Sequence, residues 1–321
     1  MKSSLGFTLE GRDWWRLYLP FWIMYVALTV IIQLSGSSSA WGKAHTGLSL
    51  LLQLGLFLVL YIVIWIFTIL FLRMVAPKLS YQGEGFAFRG KVGEYIWLNV
   101  VGCLLSVVTI FIFTPWYARR VADYLASNTS WRGTDLKFLG RGGRLFVFML
   151  IGFWAPLIAL VVVIVLSVGV HAQAMQPGGA PQLITMLVTF GFVLYIMAVF
   201  LYLVYKWLVD ISWKDIRVRW KTKFWPSFGM VVGQGLLTLI TLTVYWPAAY
   251  KKLYRYFTER TALSRGDVEF GHMGFEGQKG FGLLWGQTLL SIITIGFYAP
   301  WAYARVGRWL IGGTIVERTD R

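Results

Sequence analysis

Seven apolar runs alternate with polar connections along the whole chain. They cover residues 14–34, 48–72, 93–114, 145–170, 182–205, 226–246 and 281–299. A helix needs about 20 mostly apolar residues to cross a bilayer, so the pattern predicts a polytopic membrane protein built from helices. The first run is too long for the apolar region of a cleaved signal peptide, and we expect it to be a retained helix.

The basic residues do not fit a simple alternation of the seven runs across the membrane. The connections 35–47 and 171–181 hold only Lys43 between them, whereas every other connection is rich in lysine and arginine. Basic loops favour the cytoplasm. All basic connections can lie in the cytoplasm if two spanning hairpins are formed, one by runs one and two and the other by runs four and five. Runs three, six and seven must then begin and end in the cytoplasm. Both chain ends are then cytoplasmic.

The sequence therefore predicts an all-α integral membrane protein with two spanning helical hairpins and three further helical units that re-enter the membrane or lie at its interface. Backbone that bends inside a bilayer must be shielded from lipid, and the spanning helices would supply that shield. The length of 93–114 also fits a full crossing, so that alternative stays open. Short cytoplasmic β-hairpins, for example around Gly133, are expected to link the helices.

The three unusual runs share one motif, which indicates an internal repeat. A threonine lies six residues before a proline, a tryptophan adjoins the proline, and a base, an aromatic residue and a threonine lie five, nine and fourteen residues after it. The copies are Thr109, Pro115, Trp116, Arg120, Tyr124 and Thr129; Thr241, Trp246, Pro247, Lys252, Tyr256 and Thr261; and Thr294, Pro300, Trp301, Arg305, Trp309 and Thr314.

A second pattern, alternating apolar residues followed by glycine, precedes most units and predicts a short strand with a turn into the helix. It occurs at Phe7 to Gly11, Phe86 to Gly90, Leu136 to Gly140 and Met273 to Gly277. We accordingly divide the chain into a first repeat (1–135), a second repeat (136–272) and a third proline–tryptophan unit (273–321).

Composition narrows the class of function. The chain has 321 residues, 57% apolar and 14% charged, with a net charge of +16. In so apolar a chain, this charge favours a cytoplasmic face against anionic lipid over nucleic acid. Cys103 is the single cysteine, so no internal disulfide can form, and the three histidines show no metal-ligand spacing. We expect no metal and no cofactor.

Residues 86–140 resemble the YjgN family of bacterial inner-membrane proteins, also called the DUF898 family. The resemblance lies in FAFRGKVGEY, Asn99, the T-x5-P-W motif with its arginines, and the stretch from Asn128 to Phe138. It recurs more weakly at 226–266 and 275–314, where Arg260 and Gly313 replace the asparagine of the Asn-Thr pair. The resemblance implies a multi-pass inner-membrane protein and implies no established activity.

The motif bases are the candidate site. Arg120, Lys252 and Arg305 occupy related positions and could bind a lipid phosphate or another anion, with Arg119 and Arg308 assisting. The alternative is that they are interfacial anchors whose charged ends reach toward water. The prolines turn the chain, and Trp116, Trp246 and Trp301 suit the membrane–water interface.

Four polar residues lie inside or at the start of apolar arms. Glu94 either caps its helix or pairs with a motif arginine. Asn99, Gln234 and Gln287 are expected to form helix–helix hydrogen bonds, with a polar path as the alternative.

No catalytic motif is found, and no paired acids lie in an apolar run, so we expect no enzyme and no catalytic residue. The leading hypothesis is a non-enzymatic inner-membrane protein that binds anionic lipid on its cytoplasmic face and scaffolds or regulates a membrane-protein partner or a second copy of itself. The alternative is a transporter or channel for lipid or a small anionic or amphipathic solute, with the motif bases lining a vestibule.

Overall fold

Helices and short strands alternate along the chain. The computed structural model describes residues 2–36, 43, 45–171, 180–266, 268–278 and 280–318. The helices are α1 (Gly11–Leu34), α2 (Thr46–Val75), α3 (Val92–Val108), α4 (Thr114–Ser127), α5 (Gly142–Met149), α6 (Ala155–His171), α7 (Ala180–Leu208), α8 (Phe224–Ile240), α9 (Trp246–Thr258), α10 (Gly280–Ile293) and α11 (Ala299–Gly312). The strands are β1 (Lys2–Phe7), β2 (Leu79–Tyr81), β3 (Glu84–Phe88), β4 (Thr129–Trp131), β5 (Thr134–Asp135), β6 (Lys137–Phe138), β7 (Ile211–Trp213), β8 (Ile216–Trp220), β9 (Thr261–Arg265), β10 (Val268–Phe275) and β11 (Thr314–Arg318).

The residues fall into two compact units. Unit 1 comprises Met1–Val101, Tyr124–Leu136 and Phe275–Glu317, and unit 2 comprises Gly102–Asp123, Lys137–Gly274 and Arg318–Arg321. Unit 1 therefore contains the β1 strand, the α1–α2 pair and the α10–α11 pair. Unit 2 contains helices α5 to α9.

The predicted all-α fold is wrong. The described strands belong to an eleven-stranded antiparallel sheet, where only isolated short hairpins were expected. In unit 1 the strand order is β5-β4-β3-β2-β1-β11, and in unit 2 it is β10-β9-β8-β7-β6. The pairing of β1 with β11 places Lys2 opposite Glu317, so these two strands lie side by side in unit 1. Five of these strands hold only two or three residues, too few to show a period-two pattern, and several pairings, such as β1 with β11 and β3 with β4, join segments distant in sequence.

The tight turns between neighbouring strands follow from local sequence. Arg132 and Gly133 both have positive φ (51° and 71°) and join β4 to β5, as Gln82 and Gly83 (53° and 81°) join β2 to β3. Two successive positive φ values are the signature of a type I′ turn, whose twist matches that of paired strands. The β-hairpin expected around Gly133 is present as part of the larger sheet.

Helix ends adjoin the sheet in each unit. In unit 1, α1 follows β1 and α2 leads through a short 3-10 turn into β2, while α11 leads into β11. In unit 2, α5 follows β6 and α7 precedes β7, and the pair α8–α9 lies between β8 and β9. Because a short connection fixes a helix end beside its strand, each of these helix pairs leaves the sheet and returns to it.

Three described segments are long and apolar enough to cross a membrane: Gly11–Leu34, Thr46–Lys78 and Gly142–Val162. The sequence predicted four. The fourth predicted crossing, 182–205, lies in α7, whose side chains the structure describes mainly from Ala198 onward. The predicted outer connections 35–47 and 171–181 lie largely outside the described residues.

The fourth apolar run is interrupted by a π turn at Leu150–Trp154, between α5 and α6. Pro156 follows at the second position of α6 and has no N–H to donate to the preceding turn. A local widening of the helix is a common response to such a missing bond. Gly152 lies within the widened turn, where an added Cβ would lie 3.5 Å from Val199 of α7.

The glycine that ends the second sequence pattern accommodates an aromatic ring. The rings of Phe88, Phe138 and Phe275 each fold over the glycine two residues later. A Cβ on Gly90, Gly140 or Gly277 would lie 2.5, 2.3 or 2.2 Å from the ring's Cζ atom. No side chain fits in that space, so this pattern specifies a strand that ends in a buried phenylalanine and a turn into the next element.

Candidate functional site

Each proline–tryptophan motif forms a helical hairpin. An apolar helix (α3, α8 or α10) runs out, a five-residue turn reverses the chain, and a more polar helix (α4, α9 or α11) returns. We call these hairpins 1, 2 and 3, and their second helices the return arms. The apolar helices hold 17, 17 and 14 residues, shorter than the three candidate spans.

The three motifs share the same spacing of threonine and proline, and the turn gives a structural reason for it. In hairpin 3, the Thr294 hydroxyl donates to Leu290 O (2.7 Å) and accepts the backbone N–H of Tyr298 (3.0 Å). Thr241 and Thr109 make the equivalent pairs of bonds, to Leu237 and Tyr245 and to Leu105 and Phe113. The leucine carbonyl also accepts the threonine's own N–H, so the main effect of the hydroxyl is to give the backbone N–H at the start of the return arm an acceptor.

Two consecutive residues with positive φ make the reversal. They are Ile110 and Phe111 in hairpin 1, Leu242 and Thr243 in hairpin 2, and Ile295 and Gly296 in hairpin 3. The N–H of the second residue bonds a carbonyl five residues earlier, at 2.6, 2.7 and 2.7 Å. Pro115, Pro247 and Pro300 then begin the return arms and are almost completely buried, as suits a residue whose missing donor costs nothing in a first helical turn.

An aromatic ring two residues before each proline lies beneath the motif base. The charged end of the base is 5.7 Å from the ring centroid in Arg120–Phe113, 5.5 Å in Lys252–Tyr245 and 5.9 Å in Arg305–Tyr298. Arg305 also donates a 2.7 Å hydrogen bond to the Tyr298 hydroxyl. These contacts hold the bases in cation–π geometry while all three side chains stay exposed to their surroundings.

Two of the side-chain amides that were predicted to form helix–helix hydrogen bonds, Gln234 and Gln287, accept hydrogen bonds from the tyrosines of these rings. Tyr245 donates to Gln234 Oε1 (3.0 Å), and Tyr298 donates to Gln287 Oε1 (3.1 Å). Each bond ties the apolar helix to the start of its own return arm. Asn99 is buried, and its amide donates to Tyr95 O within α3.

Hairpin 1 replaces this polar pair. Gly102 occupies the position of the glutamine in hairpins 2 and 3. Phe113, which has no hydroxyl, occupies the position of the tyrosine. Tyr117 fills the space instead, where hairpins 2 and 3 have Ala249 and Ala302. A Cβ on Gly102 would lie 2.0 Å from the Tyr117 ring, so these two positions are matched in size.

The base of each hairpin is closed next to the sheet. Backbone bonds join Arg89 N to Asn128 O (2.8 Å), Lys221 N to Arg260 O (2.8 Å) and Glu276 N to Gly313 O (2.9 Å). The aromatic residue nine positions after the proline adds a further contact, through Tyr124 to Lys91, Tyr256 to Ser227 and Trp309 to Gln278. Both ends of each hairpin therefore meet at one place.

Glu94 lies at the base of hairpin 1, in the first turn of α3. Its carboxylate pairs with Lys91 (2.9 Å) and lies 3.5 Å from the Tyr124 hydroxyl, and no motif arginine bonds to it in the described part of the chain. The hydrogen bond to Glu94 raises the pKa of the Lys91 ammonium. This pair closes the hairpin at its sheet end, far from the turn.

The tryptophans beside the prolines differ in their surroundings. Trp116 packs on Phe146 and against Gly142. Trp301 stacks on Tyr298 and packs on the tilted ring of Trp15 and against Gly11. Trp246 packs on Tyr250 within its own arm. The tryptophans of hairpins 1 and 3 thus dock a return arm against the first turn of another helix.

The hairpin turns expose large apolar side chains. Among the most exposed are Val108 (78%), Ile110 (76%), Ile240 (76%), Leu242 (86%), Ile293 (75%) and Ile295 (80%). Each apolar turn is followed by a return arm that carries exposed cations. Two of these cations, Arg119 and Arg308, make no ion pair among the described residues. Large apolar side chains and basic side chains are therefore exposed on the same hairpins.

Sequence reasoning missed the ring beneath each base and the sheet that holds the hairpin ends. The ring had a signal, since Phe113, Tyr245 and Tyr298 share a fixed position two residues before the proline. The described residues include no cluster of His, Cys, Asp or Glu able to hold a metal ion. The three motif bases belong to different units, Arg305 to unit 1 and Arg120 and Lys252 to unit 2.

Comparisons with known proteins place the chain in a family. The profile of a family described as bacterial protein of unknown function (DUF898) matches residues 83–276. The protein named inner membrane protein YjgN from Salmonella typhimurium is 29% identical over 73 residues, 23% of this chain and 18% of the relative, and its namesake from Escherichia coli is 28% identical over 76 residues, 24% and 19%. The matches thus span less than a fifth of these relatives. No solved structure matches the chain. Since the family profile covers more than half of its residues, this membrane protein belongs to the DUF898 family.

Proposed function

We propose that the protein is a non-enzymatic, multi-pass protein of the bacterial inner membrane, in which the three hairpins insert their apolar turns into lipid and hold anionic headgroups with their return arms. Arg120, Lys252 and Arg305 are the principal headgroup ligands. The sheet and both chain ends lie in the cytoplasm, where a membrane-protein partner or a second copy of the chain meets the bound lipid.

The observation that carries this proposal is the strained backbone at the hairpin turns. Ile110 and Ile295 adopt left-handed φ values of 50° and 51°, although a β-branched residue is disfavoured there. A left-handed residue with a Cβ costs about 1–2 kcal/mol. Glycine would remove that cost, so an exposed isoleucine at this place supports a role for its side chain outside the fold. Lipid tails are the surroundings that such a side chain favours.

The charge distribution supports the headgroup part of the proposal. The bases lie on the return arms and are exposed, and each is steadied by an aromatic ring below it. An oriented cation loses less side-chain entropy on binding a phosphate than a free one. The names of the relatives support placement in the inner membrane.

The transport alternative has weaker support in the hairpins. Gln234 and Gln287 would be the polar lining of a path, but their carbonyl oxygens already accept hydrogen bonds from tyrosines of the same hairpin. They serve to hold the two arms together.

The test is lipid binding by purified protein in detergent, measured by native mass spectrometry with phosphatidylglycerol and phosphatidylcholine. The variant R120Q/K252Q/R305Q is compared with K137Q/K214Q/R265Q, which removes the same charge from strands and a strand turn. Each basic residue near an anionic surface contributes about 1 kcal/mol, so the first variant should bind phosphatidylglycerol at least tenfold more weakly than wild type. Equal binding by the two variants would contradict the proposal.

A further inference from the structure

A small basic cavity lies between the start of α1 and the return arm of hairpin 3. It has a volume of about 290 Å³ and is lined by Glu10, Gly11, Arg12, Trp301, Arg305 and Arg308. All six residues belong to unit 1. Arg12 belongs to α1 and not to hairpin 3. The proline–tryptophan motif alone therefore does not form this cavity.

Three guanidinium groups border the cavity against one carboxylate. Arg12, Arg305 and Arg308 are exposed and make no ion pair with the part of the chain that the structure describes. Like charges gathered in a concave site raise the local concentration of a counter-ion. Guanidinium groups also match the geometry of phosphate oxygens, to which they donate paired hydrogen bonds.

Close packing at Gly11 brings the two elements together. A Cβ at this position would lie 2.4 Å from the Trp301 ring and 2.8 Å from the Trp301 Cα, so the first turn of α1 contacts the return arm directly. Glu10 precedes α1 and makes no side-chain cap to its backbone. The uncapped N–H groups of this first turn add a favourable field for an anion beside the arginines.

The position of the cavity along α1 indicates which phosphate compound fits. Arg12 is the second residue of a candidate span, and exposed apolar side chains begin further along the helix with Ile23, Met24 and Val26. A phosphate at Arg12 therefore lies at headgroup level, with apolar surface along the same helix for acyl chains.

We propose that this cavity binds the phosphate group of an anionic phospholipid, with Arg12, Arg305 and Arg308 as its ligands and Trp301 as its wall. The inference rests on the proposed function, in that it names one specific lipid site within the general headgroup contact. The shared chemistry is a phosphate ester, which either a lipid or a soluble compound such as glycerol 3-phosphate supplies.

The experiment changes Arg12 and Arg308, which the general test leaves intact. Binding of phosphatidylglycerol is measured for full-length R12Q/R308Q by native mass spectrometry, with K214Q/R265Q as the control of equal charge and R12K/R308K as the conservative variant. R120Q/K252Q is measured alongside, and glycerol 3-phosphate is added to wild type as a competitor. Size-exclusion profiles establish that each variant is folded.

We expect R12Q/R308Q to lose the tightest-bound phosphatidylglycerol, with at least tenfold weaker binding than K214Q/R265Q, while R12K/R308K regains part of it. Competition by glycerol 3-phosphate at concentrations equal to those of the lipid would support the phosphate site and identify a soluble ester as its ligand. Binding by R12Q/R308Q equal to that of K214Q/R265Q would overturn the site. In that case the proposed function still stands if R120Q/K252Q binds less phosphatidylglycerol than wild type. If none of the variants binds less lipid than wild type, the proposed function is also overturned.

Discussion

Arg305 donates a 2.7 Å hydrogen bond to the hydroxyl of Tyr298, and that hydroxyl in turn donates to the buried Gln287. One phenol group thus joins an exposed cation to the interior of hairpin 3. The arrangement gives the tyrosine two separable effects, on the stability of the hairpin and on the orientation of the arginine.

Replacing Tyr298 with phenylalanine tests the first effect. The substitution leaves the Gln287 carbonyl without its partner in a buried place, which costs about 1–3 kcal/mol. We expect Y298F to lower the midpoint of thermal unfolding in detergent. The matched change in the opposite direction, F113Y, should give no comparable gain because Gly102 offers no amide. A Y298F protein as stable as wild type would contradict the role of this bond.

Removing the Thr294 hydroxyl tests the turn itself. T294V keeps the shape of the side chain but loses the acceptor for the Tyr298 N–H, and we expect a loss of about 1–3 kcal/mol of unfolding free energy. T294S retains the hydroxyl and should stay close to wild type. If the two variants unfold at the same temperature in detergent, the hydroxyl does not hold the turn.

The matched sizes of Gly102 and Tyr117 predict coupling between them. G102A forces a methyl group into the Tyr117 ring and should cost about 1–3 kcal/mol. In the presence of Y117A that added cost should disappear, so the double variant is more stable than the sum of the single effects predicts. A double-mutant cycle in thermal unfolding measures this, and strict additivity would show that the two side chains do not compete for space.

Replacement of Gly277 and of Gly282 by alanine should have opposite effects on stability. A Cβ on Gly277 would meet the Phe275 ring at 2.2 Å, whereas one on Gly282 would have no neighbour within 4 Å. We expect G277A to destabilise the protein and G282A, within α10, to be neutral or to stabilise it by up to about 1 kcal/mol. Equal unfolding temperatures for both variants would refute the tight packing seen at the end of β10.

Topology is tested by cysteine labelling in a C103S background. Single cysteines at Arg132 and Lys214, in the turns of β4–β5 and β7–β8, should be protected from a membrane-impermeant reagent in intact cells and react after permeabilisation. The reason is that these turns belong to a basic sheet, which favours the cytoplasm. Labelling at either position from outside would place the sheet on the opposite side.

Local chemistry explains which parts of this fold the sequence could predict. The hairpin turns depend on a threonine, a proline and an aromatic residue within a few positions, and the Gly133 turn depends on two residues. The sheet could not be predicted in the same way, because strands such as β2 and β7 have three residues each, and one of the two neighbours of each strand is distant in sequence. The cavity near Arg12 was missed because α1 and α11 lie at opposite ends of the chain.

The strand β1 (Lys2–Phe7) has two neighbours, β2, which begins at Leu79, and β11, which begins more than 300 residues after β1 ends. Because the ribosome makes a chain from its amino end, the edge of β1 that pairs with β11 stays unpaired until β11 has been synthesised. The pairing of β1 with β11 therefore follows the synthesis of helices α1 to α11. A chain that lacks β11 should keep this edge of β1 unpaired, and an unpaired strand edge favours association with other chains.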